Sequence, residues 1–220
     1  MTARVSNTSW IGASSCLGVV VSLAAVATLF AQADSLPPAY PRAGATTLLE
    51  NARVIVWDIS WLKQQYALHR HPYALVGVYY SQGDRTIIAQ DGSRRPVSTK
   101  AWDTAFQRAG VTHIEEGASD TPLRAVFIEM KEPGASGPID AVTAPAPLAA
   151  TLGASFIDND RVTGWLLQSG RAPAAHRHQR DAVVLWFAGA QHGADFVARG
   201  TVHNAEAHAS GDHVYVFELK

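Results

Sequence analysis

The chain has 220 residues and a formal net charge of −1, with 18 basic side chains scattered against 19 acidic ones and no Lys/Arg run, so it lacks the electrostatic footprint of a nucleic-acid binder. Its one cysteine, Cys16, lies in the N-terminal segment, so the rest of the chain has no disulfide or thiolate ligand and depends on an ordinary apolar core. Residues 1–33 read as a secretory signal. Arg4 is the only charge, residues 18–30 form a long apolar run, and Ala31-Gln32-Ala33 offers small residues at the positions a signal peptidase reads. Cleavage after Ala33 would leave a periplasmic or secreted protein, nearly neutral and free of the membrane. The competing expectation is an uncleaved N-terminal anchor, because residues 11–33 approach the roughly 20 needed to span a bilayer. Cys16 precedes most of the apolar run, which is the wrong order for a lipoprotein.

Beyond residue 34 the pattern is one of strands and turns. Residues 51–59, 73–80 and 124–130 are rich in β-branched and aromatic side chains and read as strands. Asp91-Gly92, between Thr86-Ile87-Ile88 and Pro96-Val97, signals a hairpin, since that pair accepts positive φ. Residues 98–109 fit either a short helix, with Trp102, Ala105 and Phe106 at helical spacing, or an irregular strand. Between 133 and 150 the composition shifts to Pro, Gly, Ala and Ser, the expected linker between domains at 34–132 and 151–220.

The tripeptide His-Arg-His occurs at His69-Arg70-His71 and again at His176-Arg177-His178. On a strand, alternate side chains share a face, so each pair of histidines points one way while Arg70 and Arg177 point the other, onto the outer surface. Each copy is followed by a Gly-x-x-His, Gly110 to His113 and Gly200 to His203, with Phe106 and Phe196 seven residues before the last histidine. Each then closes on a similar strand, Ile128-Glu129-Met130-Lys131 and Phe217-Glu218-Leu219-Lys220. The chain reads as an internal duplication, with the Asp91-Gly92 hairpin as an insertion in the first copy. Three imidazoles per copy make an open metal site with positions left for water, oxygen or substrate.

At these residues the chain resembles the cupin superfamily, in its two-domain bicupin form. Gly170, five residues and His176-x-His178 match the opening of the first cupin motif, with Gly189 as its close. In the first copy His69, His71 and Gly83 fit, while Lys63 replaces the opening Gly. Gly110-x-x-His113 and Gly200-x-x-His203 match the core of the second motif. The motif's Glu is missing from both copies: Leu75 and Val76, or Ala182 and Val183, stand in its place, and Asp181 lies one residue early. The resemblance implies an all-β fold of two small jelly-roll barrels in tandem, a divalent metal (Fe, Mn, Zn or Ni), a small-molecule ligand and a homodimer. It also implies either metal-dependent oxygenase or isomerase/lyase chemistry on a small oxygen-bearing molecule, a non-catalytic binding or sensing module, or structural barrels with degenerate sites. No catalytic residue is assigned. Tyr73, Tyr79, Trp102, Phe106 and Asp181 are candidate pocket residues, the aromatic ones doubling as core candidates. Glu115, Glu116 and Glu206 are expected to be solvated loop charges unless they move protons, and His192, His208 and His213 to be surface residues.

Overall fold

The computed structural model describes residues 36–131, 154–167, 175–203 and 213–220. The signal segment expected at 1–33 and the linker expected at 133–150 lie outside them, as do Glu206 and His208. All regular structure among the described residues is β. The first lobe holds β1 (Ala45–Glu50), β2 (Val54–Trp61), β3 (His69–Arg70), β4 (Ala74–Tyr79), β5 (Gly83–Ile88), β6 (Arg94–Thr99), β7 (Thr104–Gln107), β8 (Thr112–Gly117) and β9 (Leu123–Met130). They form two sheets, ordered β1-β2-β9-β4-β7 and β3-β8-β5-β6, with every strand pairing antiparallel. The chain passes from one sheet to the other after β2, β3, β4, β6, β7 and β8, which is the winding of a jelly roll. Residues 98–109 are therefore strand and turn, not helix. The Asp91-Gly92 turn joins β5 to β6, and Gly92 takes the φ of +83° that the turn needs.

The second lobe repeats the larger sheet in smaller form: β10 (Ile157–Asp158), β11 (Val162–Leu167), β13 (Ala182–Ala188), β14 (Gln191–Val197) and β16 (His213–Leu219) run in the order β10-β11-β16-β13-β14. Its β12 (His176–Arg177) and β15 (Val202–His203) form a two-stranded ribbon. β13 turns directly into β14 through Gly189, so the β5–β6 hairpin has no counterpart here. The repeat extends to side chains. Asn51 Oδ1 accepts from Arg53 N and Val54 N (2.8 and 3.0 Å), and Asn159 Oδ1 accepts from Arg161 N and Val162 N at the same distances. Lys131 Nζ donates to Asn51 O, and Lys220 Nζ donates to Asn159 O.

Residues Pro37–Lys220 form one compact unit, and alternation along the larger sheets explains why. Val54, Val56, Val76, Val78, Val126 and Ile128 face outward from the first lobe and meet Val183, Leu185, Phe187, Tyr215, Phe217 and Leu219 in one shared core. Trp57, Ile59, Trp61, Leu75, Tyr79, Leu123 and Phe127 face the interior of the first barrel. β4 is covered on both faces, so all six of its residues are buried and its sequence is a continuous apolar run. Each fully buried Val or Leu contributes about 1.5–3 kcal/mol.

The joint also takes in residues expected elsewhere. His192, predicted at the surface, places Nε2 3.1 Å from Asp58 Oδ2 and packs on Tyr80. His213 stacks on Trp102 with ring centroids 3.7 Å apart. These corrections share one cause: residues without a counterpart in the other copy are used to fasten the copies together. Asp181 does the same, accepting from Arg53 Nε at 2.9 Å.

Candidate metal centre

His69 lies on β3 opposite His113 on β8, and His71 follows at the end of β3. All three are buried, at 3, 3 and 8 % exposure. Their ligand nitrogens lie within 4.8 Å of one another, and His71 Nε2 is 3.4 Å from His113 Nε2. The Gly-x-x-His motif creates this convergence. Gly110 takes a φ of +88°, a conformation that suits glycine, and its N–H donates to His71 O at 2.8 Å, closing the turn that delivers His113. Gly200 does the same in the second lobe, with a φ of +79° and a 2.8 Å bond to His178 O.

The three imidazoles fit a divalent ion. His69 Nδ1 donates to Ala67 O at 2.9 Å, which leaves Nε2 as the lone-pair nitrogen, and that buried atom has no hydrogen-bond partner among the described residues. A backbone acceptor on the remote nitrogen is the usual device for orienting a ligating histidine. Burial, reinforced by the neighbouring imidazoles, pushes His71 down to about 3. Burial also lowers His113, to about 4, and lowers His69, so the rings are neutral donors at physiological pH.

Beneath the histidines sits Glu115, 5 % exposed, two residues beyond His113 on the same face of β8. The expectation of a solvated loop charge fails for it, because strand alternation turns Glu115 inward and only Glu116 toward solvent. Arg42 Nη1 is 2.7 Å from Glu115 Oε2, and Arg85 Nε is 3.8 Å from Oε1. Burial alone would raise this carboxyl, but Arg42, Arg85 and His113 outweigh it and hold it at about 2. Reading i to i+2 from His113 would have located Glu115. The partnership with Arg42 and Arg85 depends on long-range register and carried no local signal.

The histidines border a cavity of about 400 Å³ between the two sheets of the first lobe. His71, His113 and Glu115 line it, as do the predicted Tyr79 and Phe106. Tyr73, Trp102 and Asp181 are not among its lining residues; the last two belong to the joint between the lobes.

In the second lobe His176 pairs with His203 in the register of His69 with His113. His176 and His178 are buried with ring centroids 5.2 Å apart, the same separation as His69 and His71. Arg177, expected on the outer surface, is itself buried, whereas Arg70 is exposed as alternation predicts. A buried carboxylate stands on the neighbouring strand in each lobe: Leu75 and Ala182 occupy the position of the motif's Glu, and Glu129 and Glu218 are their cross-strand partners. Glu218 Oε1 lies 3.3 Å from His178 Nδ1, whereas Glu129 Oε2 accepts from Trp57 Nε1 at 2.9 Å.

No protein-family model and no curated protein matches the chain. Among solved structures it is similar to a cupin domain from Bordetella pertussis Tohama I, with 26 % identity over 42 % of this chain and 99 % of that one and a TM-score of 0.38. It is also similar to a cupin 2 conserved barrel domain protein from Leptotrichia buccalis, with 12 % identity over 86 % and 88 % of the two chains and a TM-score of 0.42. A cupin-2 domain protein from Shewanella frigidimarina matches at 14 % identity over 51 % of this chain and 95 % of that one, with a TM-score of 0.32. These three neighbours are cupin-domain proteins, and the buried cluster of His69, His71 and His113 has, by its own donor set, the ligands to hold a metal ion.

Proposed function

We propose that the chain is an exported two-domain cupin whose first domain holds a divalent metal through His69, His71 and His113 and acts as a metal-dependent enzyme on a small oxygen-bearing molecule. The observation that carries this reading is the convergence of three buried, neutral imidazoles, with His71 and His113 in the wall of a ligand-sized cavity. A bound divalent ion would polarise a carboxylate, carbonyl or enediolate and lower the pKa of bound water. The chain's own contribution is to orient the ligands through Ala67 O and the Gly110 turn, to keep an apolar wall against water, and to fix Arg85 with Glu115. Oxygenase and isomerase/lyase chemistry are the reaction types this donor set serves, iron favouring the first and manganese, zinc or nickel the second. Export rests on the composition of residues 1–33. His176, His178 and His203 are proposed as a second, similar site, and homodimerisation is proposed from the cupin resemblance.

A second reading is a binding or sensing module. It is favoured by Glu115, whose ion pairs occupy the one buried carboxylate lining the cavity and leave no unengaged base there. Ligand binding that is unchanged by chelation, together with absence of turnover across metals, would select it. Turnover that appears with one metal and is lost in His71→Ala would select the enzyme.

A further inference from the structure

The cavity beside the histidines has a second set of polar groups, apart from the three imidazoles. Arg85 and Ile87 project inward from β5, and Arg95 stands across from Ile87 on β6, so both arginines reach the cavity from adjacent strands. The Arg85 guanidinium is held 5.0 Å from the ring centroids of both Trp61 and Tyr79. Its Nε and Nη1 are buried and neither has a hydrogen-bond acceptor among the described residues: Nε keeps only the longer ion-pair approach of 3.8 Å to Glu115 Oε1. Gln107, at the end of β7 on the opposite wall, likewise buries an Nε2 with no acceptor. Burying donors without a hydrogen-bond acceptor is costly, more so for a charged group, and here they border an open volume. The charged side chains lining that volume are Arg85, Arg95 and Glu115, which leaves an excess of positive charge before any metal is added.

We infer that this cavity takes a small organic carboxylate, gripped by Arg85 and Gln107, with the exposed Arg95 drawing it in at the mouth. A carboxylate suits the site better than a phosphate. The donors are one buried guanidinium and one amide, and the backbone N–H groups of β5 and β8 are engaged in sheet pairing, which leaves little for a third anionic oxygen. Leu75, Ile87, Val111 and Phe127 supply an apolar wall for the rest of the molecule. The hairpin that carries Arg85 and Arg95 has no counterpart between β13 and β14 among the described residues of the second lobe, so the clamp is assigned to the first lobe. The inference rests on the proposed function in taking this cavity as the ligand site, but it does not need the metal.

The test is calorimetric titration of phenylacetate, of its neutral isostere phenylacetamide and of phenyl phosphate into the purified full chain, after chelation and again with added Zn(II). The wild type should bind phenylacetate at least tenfold more tightly than the amide in both states. Arg85→Met and Gln107→Leu should each weaken phenylacetate roughly ten- to a hundredfold while leaving the amide unchanged. Arg95→Ala should weaken it a few-fold, with less effect at high salt. Gln107 lies on an edge strand, so its variant keeps the test open if Arg85→Met fails to fold. Equal affinity for acid and amide, no binding of either, or a tenfold preference for phenyl phosphate would overturn the inference. Zn(II) uptake without acid preference would sink the clamp and leave the metal reading standing. Acid preference without Zn(II) uptake would do the reverse.

Discussion

Glu115 and Glu116 are neighbours in sequence with opposite surroundings, and neutralising each in turn tests whether the centre is built as described. Glu115 is 5 % exposed and is shared by two guanidinium groups, Arg42 at 2.7 Å and Arg85 at 3.8 Å, with the Arg42 and Arg85 side chains 9 and 13 % exposed. Removing one partner of a buried pair costs about 3–5 kcal/mol, because the opposite charge stays behind in a dry site. The depression of Glu115 from 4.5 to about 2 corresponds to about 3 kcal/mol, in the same range. Glu116 pairs with Arg94 at the surface, where both side chains are substantially exposed and such a pair is worth about 0–1 kcal/mol. Urea unfolding of metal-free protein at pH 7 should therefore show Glu115→Gln destabilised by about 3 kcal/mol or more, and Glu116→Gln within about 0.5 kcal/mol of wild type. Equal effects, or a Glu115→Gln loss below about 1 kcal/mol, would refute the buried triad and with it the assignment of the inward face of β8.

Three other outcomes follow from the packing. A methyl group at Gly77 would sit 2.1 Å from Val126 O and 2.4 Å from Phe127 Cδ1, so Gly77→Ala should cost about 1–3 kcal/mol, read as a lower urea midpoint; an unchanged midpoint would contradict the close approach of β4 and β9. Phe217 is fully buried in the core shared by the lobes, so Phe217→Ala should lose about 3–5 kcal/mol and leave a single unfolding transition, whereas two separated transitions would show lobes that unfold independently. At the joint, burial would raise Asp58, but hydrogen bonds from His192 and Tyr80 and the attraction of His192 and Arg124 prevail and lower it. A lowered folded pKa means stability that is present above the ordinary Asp value and lost as pH falls below it, so the gap between wild type and Asp58→Asn should be open at pH 7 and close below about pH 4. A gap that stays constant across that range would remove Asp58 from the joint.

What could be read from the sequence was what alternation and local turn chemistry encode. The strands around Val56, Val76 and Val126, the Asp91-Gly92 hairpin and the pairing of His-x-His with Gly-x-x-His all follow from period-two patterning and from glycines that take positive φ. The repeat was visible in the histidines and is stronger than they indicated, since Asn51-x-Arg53-Val54 and Asn159-x-Arg161-Val162 make the same turn in each lobe. Cross-strand relations stayed hidden. Nothing near Leu75 announces that Glu129 stands across from it, nor does anything near His113 announce Arg42. Trp102, His192 and His213 were obscure for the same reason, since polar and aromatic residues at strand ends look like surface until the face that covers them is known.

The central claim is that His69, His71 and His113 hold a divalent ion, and the most direct measurement is the metal content of protein purified without a histidine tag, for wild type and His71→Ala, after dialysis against each candidate metal. The account predicts tight retention of a divalent ion by the wild type and loss of the first-lobe equivalent in His71→Ala, with His178→Ala leaving that equivalent in place. A wild type that retains no metal, or a His71→Ala protein that retains as much as wild type, would contradict it.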